Sequence, residues 1–531
     1  MDFKTISPAA AKSLLHSGDE VAFLDVREAA AFGEGHPLFA IPCPYSRIEL
    51  STLALAPRDN VPIILIDDGD GVAERAAQRL VACFYQDVSV VDGGMPAWTA
   101  AGFGSFAGVN VPSKTLGELL EHSLHPAMID AATLADWQKT GRPHHFFDAR
   151  PPDEFTKMSI DGARCLPNGE LAHRLASVVH DDATPVVITC AGRTRGIVGA
   201  LGLAAAGIPN PVYALENGTQ GWALAGFPLA RGATPDPFPE LDATDRQASR
   251  QRARQVIERN GLSRVTTREI DALLNDETRT TYRFDLRSAP ERAGRPCPAA
   301  MPALAGQLVQ STDLHVAVRR SRLVLVDDTG LRGALAALFL RALGFEPHLL
   351  VLDDEPGASL AFARKTGLLP VPAAKQITAV EARQRATNPG VVVIDIRSSQ
   401  ARERGRLAGS TWAVRAKLPE SVPTGTSGVI LHTTDAASAA ACSLDLTDLG
   451  IAAWWLDANL ETCAQAGWSF DNTRQPMSRD EAVDRVWFVH DRHDGNREAS
   501  LQYLAWEMGL VAQLDAEERA EFADVELFPT P

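Results

Sequence analysis

At 531 residues the chain is too long for one hydrophobic core, so several domains are expected. Its apolar content of 45% and charged content of 22% are those of an ordinary soluble globular protein. A formal net charge of −16 excludes wrapping nucleic acid or holding an anionic membrane by bulk charge, and an anionic substrate needs a local positive site against that background.

No run is apolar for long enough to span a bilayer: the best, Leu335 to Leu343, is interrupted by Arg341 and far too short. Met1-Asp2-Phe3-Lys4 does not start a basic segment followed by an apolar run, so no signal peptide is expected. Seven cysteines, an odd number without CxxC pairs, argue against a disulfide framework or zinc site. They point to a reducing compartment, with the cytoplasm as the expected location.

In chain order, one pattern occurs four times. A β-rich run ends in Asp-x-Arg at Val21-Ala-Phe-Leu-Asp25-Val-Arg27, Phe146-Phe-Asp148-Ala-Arg150, Phe284-Asp285-Leu-Arg287 and Val391-Val-Val-Ile-Asp395-Ile-Arg397. Before each lies a short strand or turn and a helix, as at Thr5-Ile6-Ser7 and Gln376-Ile377-Thr378. After each comes a second apolar strand: Pro62 to Ile66, Pro185 to Thr189, Leu323 to Val326 and Gly428 to Leu431. A polar turn, an Ala/Leu-rich helix and a further strand follow, the last at Val88 to Val91, Val212 to Leu215, His348 to Leu352 and Ala452 to Leu456.

Short apolar strands alternating with amphipathic helices predict α/β units, each a mostly parallel sheet flanked by helices. Each interval between Asp-x-Arg marks is the length of one compact domain, too long for a solenoid repeat. Linkers are expected at Gly102 to Gly108, at the Pro- and Asp-rich Pro228 to Asp245, and at Leu369-Pro-Val-Pro372. The expected domains are residues 1–108, 112–232, 250–368 and 373–475, with a C-terminal extension, 476–531, holding a helix from Arg497 to Leu510.

In such folds ligands bind beyond the carboxyl ends of the strands, where a loop leads into a helix. The four corresponding turns differ. The second reads Thr189-Cys190-Ala191-Gly192-Arg193-Thr194-Arg195-Gly196, the first Ile66-Asp67-Asp68-Gly69, the third Val326-Asp327-Asp328-Thr329-Gly330-Leu331-Arg332, and the fourth His432-Thr433-Thr434-Asp435. Only the second offers a nucleophile. Cys190 ends a buried strand just before a helix N-terminus, where the loop N–H groups converge and favour negative charge. That field is expected to lower the thiol pKa and supply thiolate. Arg193 and Arg195 add two positive charges, and Gly192 and Gly196 let backbone approach a ligand closely. The expected product is a nucleophilic sulfur in an oxyanion cradle made by Ala191, Gly192, Arg193, Thr194, Arg195 and Gly196. Asp67 and Asp327 stand where Cys190 stands, where a carboxylate is expected to repel an anionic donor and cannot become a persulfide. The fourth turn has Thr433 or His432 there and no arginine after it.

These motifs resemble the rhodanese family: the Asp-x-Arg strand, the turn at Gly162-Ala163, the Cys190-to-Arg195 loop, and Glu216-Asn217-Gly218 leading to Gly221-Trp222. The first repeat echoes the last feature as Asp92-Gly93-Gly94 leading to Trp98. The resemblance is strong over the second repeat, clear over the first and weaker over the third and fourth. It implies four tandem rhodanese-like domains, as in bacterial multidomain sulfurtransferases, with only the second catalytic. It also implies ping-pong transfer from a small anionic sulfur donor such as thiosulfate, through a Cys190 persulfide, to a thiol acceptor or cyanide. Arg193, Arg195 and the loop amides would hold the donor oxyanion. The rival chemistry, phosphatase, uses five residues between Cys and Arg in related folds, where this loop has the four from Ala191 to Thr194.

Asp148 and Arg150 read as a structural ion pair bracing the loop, because the pair survives in the repeats without cysteine. Cys43, Cys83, Cys165, Cys297, Cys442 and Cys463 read as inert, Cys165 acting as a resolving thiol only if it lies beside Cys190. His490 and His493 lack a third ligand in view, so no metal is expected, and no cofactor. Trp454 and Trp455 read as core. The alternative to an enzyme is a persulfide relay or scaffold whose degenerate domains bind a partner. The inactive domains are candidates for shaping the catalytic pocket, recruiting an acceptor protein or forming a homodimer interface.

Overall fold

A computed structural model describes residues 2–361 and 369–522. It contains four five-stranded sheets, and in each the strands lie in the order first, fifth, fourth, second, third. Every pairing within these four sheets is parallel. The inner strands, such as Ile63–Ile66 and Val186–Thr189, are buried along their whole length, because helices cover both faces. That burial explains why they read as continuous apolar runs rather than alternating ones.

The chain divides into two compact units, and the division does not follow chain order. One unit holds the first and fourth sheets; the other holds the second and third sheets and the chain from Val489 onward. In the first unit Arg415, 2% exposed, donates to Glu49 and Asp445, and Tyr45 Oη donates to Asp445 at 3.0 Å. These residues tie the first repeat to the fourth. In the second unit the fully buried Arg332 of the third repeat donates to Glu170 of the second at 2.8 Å.

Helices absent from the sequence reading precede the second and third sheets. One is Val111–Leu124. The other, Ala243–Asn260, starts inside the segment expected to be a linker, where Asp242 accepts from the Asp245 N–H at 2.8 Å and caps it. The segment expected to be one C-terminal extension also divides. Up to Phe488 it belongs to the first unit, where the Val483 carbonyl accepts from Ala30 N–H at 2.9 Å. Beyond that it forms the helices Arg497–Met508, Leu510–Gln513 and Ala516–Ala520 of the second unit. The expected helix from Arg497 therefore stops at Met508, two residues early, with Gly509 as its cap. Among the described residues no helix is long and apolar enough to cross a membrane.

Candidate active site

The Asp-x-Arg marks fix one register in all four sheets. Asp25 pairs with Ile66, Asp148 with Thr189, Asp285 with Val326 and Asp395 with His432. The next residue along each partner strand, respectively Asp67, Cys190, Asp327 and Thr433, thus takes the same place at the strand end. In every repeat the arginine Nε donates to the aspartate Oδ1 at 2.9 Å. Its Nη2 also donates to a carbonyl further on: Gly35, Met158, Arg295 or Gly405. Asp148 and Arg150 satisfy each other and the chain around them, which braces the strand end from which the loop springs.

At the shared place the first and third repeats hold a carboxylate. Asp67 Oδ1 accepts from the Gly69 N–H and Oδ2 from the Ala73 N–H, both at 2.9 Å. Asp327 Oδ2 accepts from the Gly333 N–H at 3.2 Å and Oδ1 from Arg332 Nε at 2.8 Å. Each carboxylate fills the anion cradle itself, and Arg332 together with the amide holds Asp327 below the usual carboxylate range despite its burial. Cys190 faces the equivalent amides, those of Gly196 and Gly192. A Cβ on Gly196 would sit 3.9 Å from Cys190 Sγ.

The loop is locked from behind by the helix Gly218–Leu224. Thr219 N–H donates to the Cys190 carbonyl at 2.8 Å. Gln220 donates to the Ala191 carbonyl through its backbone at 3.2 Å and its Nε2 at 3.1 Å. Asn168 Nδ2 holds the Arg195 carbonyl at 2.8 Å.

The two arginines do not face a ligand as free charges. Arg193 Nε donates to Glu118 at 2.7 Å, and its Nη2 pairs with Glu121. Arg195 makes a two-pronged pair with Glu154, both arms at 2.7 Å, and reaches Gln307 of the third repeat at 3.2 Å. Both expected positive charges stand beside the cysteine loop, and each is compensated by a carboxylate, as burial of a guanidinium demands.

The loop is covered, and the cover comes from the C-terminal helix Arg497–Met508. Glu507 Oε1 accepts from Thr194 Oγ1 at 2.7 Å, while Oε2 is buried without a hydrogen-bond partner. A Cβ on Gly192 would lie 3.0 Å from both Glu507 Oε2 and the Tyr503 ring, so the helix lies tightly against the loop at this glycine. Lys114 lies over the Trp506 ring at 4.7 Å and the Tyr503 ring at 5.4 Å, seating the helix. Cys190 is left 2% exposed. Burial pushes its thiol pKa up; Arg195 opposes this, the Glu507 carboxylate adds to it, and the Gly196 and Gly192 amides oppose it. The net direction is upward, against the sequence expectation, because desolvation under the closed helix outweighs the cradle.

The rhodanese-like domain profile matches residues 7–101 and 130–225. The chain is also 35% identical to the thiosulfate sulfurtransferase from Pseudomonas aeruginosa, with 100% of each chain covered and a TM-score of 0.88. The chain belongs to the rhodanese family. Smaller likenesses are to the Alr3790 protein of Anabaena sp., 24% identical over 20% of this chain and 82% of that one (TM-score 0.19), and to a rhodanese-related protein of Thermoplasma volcanium, 24% identical over 20% and 97% (TM-score 0.17). No curated protein matches it.

Within this rhodanese the other cysteines sit in packed surroundings. Burial pushes the Cys43, Cys165 and Cys442 thiols up to about 12 and raises those of Cys83, Cys297 and Cys463. Cys165 Sγ donates to the Arg150 carbonyl at 3.5 Å. Trp454 packs against the core of the fourth sheet. Glu118, Glu154, Asn168, Gln220, Tyr503 and Glu507 are invisible to motif reading; Gln220 lies inside the Gly218-to-Trp222 motif, but the first repeat has Pro96 at that place.

Proposed function

We propose that this chain is a sulfurtransferase of four rhodanese-like domains, bounded near residues 1–108, 112–232, 250–368 and 373–475, in which Cys190 alone carries sulfur. The single observation behind the reading is the shared cradle. The backbone amides that hold the Asp67 and Asp327 carboxylates have their counterparts around Cys190. A site that holds an anion in the first and third repeats suits an anionic sulfur in the second.

In the first half-reaction the Cys190 thiolate attacks the outer sulfur of a donor such as thiosulfate. A sulfur–sulfur bond forms to Cys190, the donor's own sulfur–sulfur bond breaks, and sulfite leaves with the electron pair. The persulfide anion is held by the Gly192 and Gly196 amides. Arg195 lowers the energy of the sulfur anion from its pair with Glu154, and Arg193 fixes the loop through Glu118. Cyanide or a thiolate then takes the outer sulfur and returns the Cys190 thiolate. Displacing Glu507 on donor binding leaves Arg195 and the amides as the charges acting on sulfur, which favours the thiolate. All seven cysteines are free, which suits a reducing compartment, the cytoplasm.

The test is thiocyanate formation from thiosulfate and cyanide, with the wild type beside Cys190→Ala. Activity abolished by the substitution supports the reading. No activity in either protein, with no persulfide on Cys190 by intact mass after exposure to several donors, overturns the reading and leaves the scaffold alternative.

A further inference from the structure

A cavity of about 160 Å³ lies beside the Cys190 loop, between the helix Gly218–Leu224 and the C-terminal segment. Gln220 lines it and also donates to the Ala191 carbonyl of the loop, while its own Oε1 is buried without a partner. Three arginines line the cavity, Arg231, Arg492 and Arg497, and no lining residue is acidic.

These arginines differ from those of the loop. Their hydrogen bonds run to main-chain carbonyls: Arg231 to His493 at 2.7 Å, Arg492 to Val489 at 3.2 Å and Arg497 to Leu224 at 2.8 Å. None forms an ion pair with another described residue, whereas Arg193 and Arg195 are both neutralised. Arg492 Nε and His493 Nδ1 are buried and unpartnered. Burial pushes His493 down to about 3; the charges of Arg492, Lys157 and Arg150 add to this and Glu154 opposes it. In a chain of net charge −16 these three arginines, paired with no carboxylate among the described residues, gather positive charge next to the reactive loop.

Resting on the sulfurtransferase reading above, we propose that this cavity binds the carboxylate end of the sulfur acceptor, a small organic thiol carrying its anionic group away from its sulfur. Geometry favours such a ligand over a compact inorganic donor. Gln220 touches the loop, and Arg497 binds Leu224, four residues and about 6 Å further along the same helix. In thiosulfate the oxyanion group is bonded directly to the reacting sulfur and cannot reach from one to the other. In the step served, the bound acceptor loses its proton to solvent and its thiolate attacks the outer sulfur of the Cys190 persulfide. The acceptor–sulfur bond forms, the bond to Cys190 breaks, and Cys190 departs as thiolate.

The experiment loads the protein with thiosulfate, removes the excess, and follows discharge of the persulfide by intact mass. Glutathione serves as the carboxylate-bearing thiol and 2-mercaptoethanol as the uncharged one. In Arg231→Gln/Arg497→Gln the glutathione concentration for half-maximal discharge rises about tenfold, as expected for lost charge-assisted contacts. Loading and discharge by 2-mercaptoethanol stay unchanged, and Arg231→Lys/Arg497→Lys keeps most of the glutathione response. Equal loss with both thiols, no change with either, or a defect confined to loading by thiosulfate overturns the proposal. If no protein loads sulfur, the sulfurtransferase reading has failed, and calorimetric titration of glutathione into Cys190→Ala then reads the cavity directly. Binding weakened about tenfold by the double glutamine substitution supports the site, and absence of binding overturns it.

Discussion

Glu507 accepts a 2.7 Å hydrogen bond from Thr194 Oγ1 through one carboxylate oxygen and holds the other, buried and unpartnered, against Gly192. A residue near the end of the chain therefore places a negative charge beside the cysteine loop of the second repeat. The consequence for Cys190 has a definite sign, since a nearby carboxylate disfavours the thiolate.

Glu507→Gln keeps an oxygen able to accept from Thr194 and removes the charge. The Cys190 pKa then falls, and its pH profile of alkylation by iodoacetamide moves to lower pH. Arg195→Gln acts oppositely, because Arg195 favours the thiolate, and moves the profile to higher pH. A profile unmoved by Glu507→Gln would show that the carboxylate does not act on the sulfur.

Glu118 gives a pH-dependent stability. Burial pushes its carboxyl up to about 7 in spite of Arg193. A group whose folded pKa lies above its unfolded value adds stability fully present below the unfolded pKa and lost as pH rises through the folded one. Relative to Glu118→Gln, the wild type should therefore gain stability as pH falls from about 7 to about 4.5, by at most about 3 kcal/mol, and change little outside that window. Paired urea titrations at pH 4.5, 6 and 8 measure the difference; a wild type that loses stability relative to the variant as pH falls has the wrong sign.

Arg332 carries the contact between the second and third repeats. It is fully buried and donates to Asp327 at 2.8 Å, Glu170 at 2.8 Å and Glu291 at 2.7 Å. Arg332→Leu leaves these carboxylates without their common cation, a change of the kind that costs about 3–5 kcal/mol. Urea unfolding followed by tryptophan fluorescence should show an early transition, partly restored in Arg332→Leu/Asp327→Ala. A loss below about 1 kcal/mol would place the burden elsewhere.

The sheets were legible because parallel strands buried on both faces read as apolar runs, and because Asp-x-Arg marked the same register point four times. The Cys190 loop was legible because its residues are contiguous. What surrounds the loop was not. Glu507, Tyr503 and Gln307 meet it only through packing of segments far apart in the chain. The direction of the Cys190 shift was misread for the same reason, since the covering helix that desolvates the thiol matches no repeat. Nor could sequence order reveal that the first repeat shares a unit with the fourth, a contact carried by Arg415, Glu49 and Asp445.

Gly218 offers the sharpest test of how the loop is held. It adopts φ +52°, and a Cβ there would lie 2.8 Å from the Gly192 carbonyl oxygen and collide with the Cys190 carbonyl. The first repeat has the same arrangement: a Cβ on Gly94 would lie 2.5 Å from the Asp67 carbonyl, and Met95 N–H donates to that carbonyl at 2.8 Å as Thr219 does to Cys190. Gly218→Ala must push the Cys190 loop away from its cradle, so persulfide formation from thiosulfate should fall by at least about a hundredfold, the scale on which misplacement of a reacting group acts. Gly202→Ala is the control. It lies inside the helix Thr194–Ala205, where a Cβ meets nothing within 4 Å, so it should keep full activity and add about 0.5–1 kcal/mol of stability. If Gly218→Ala loads sulfur at the wild-type rate, the helix behind the loop does not set the position of Cys190.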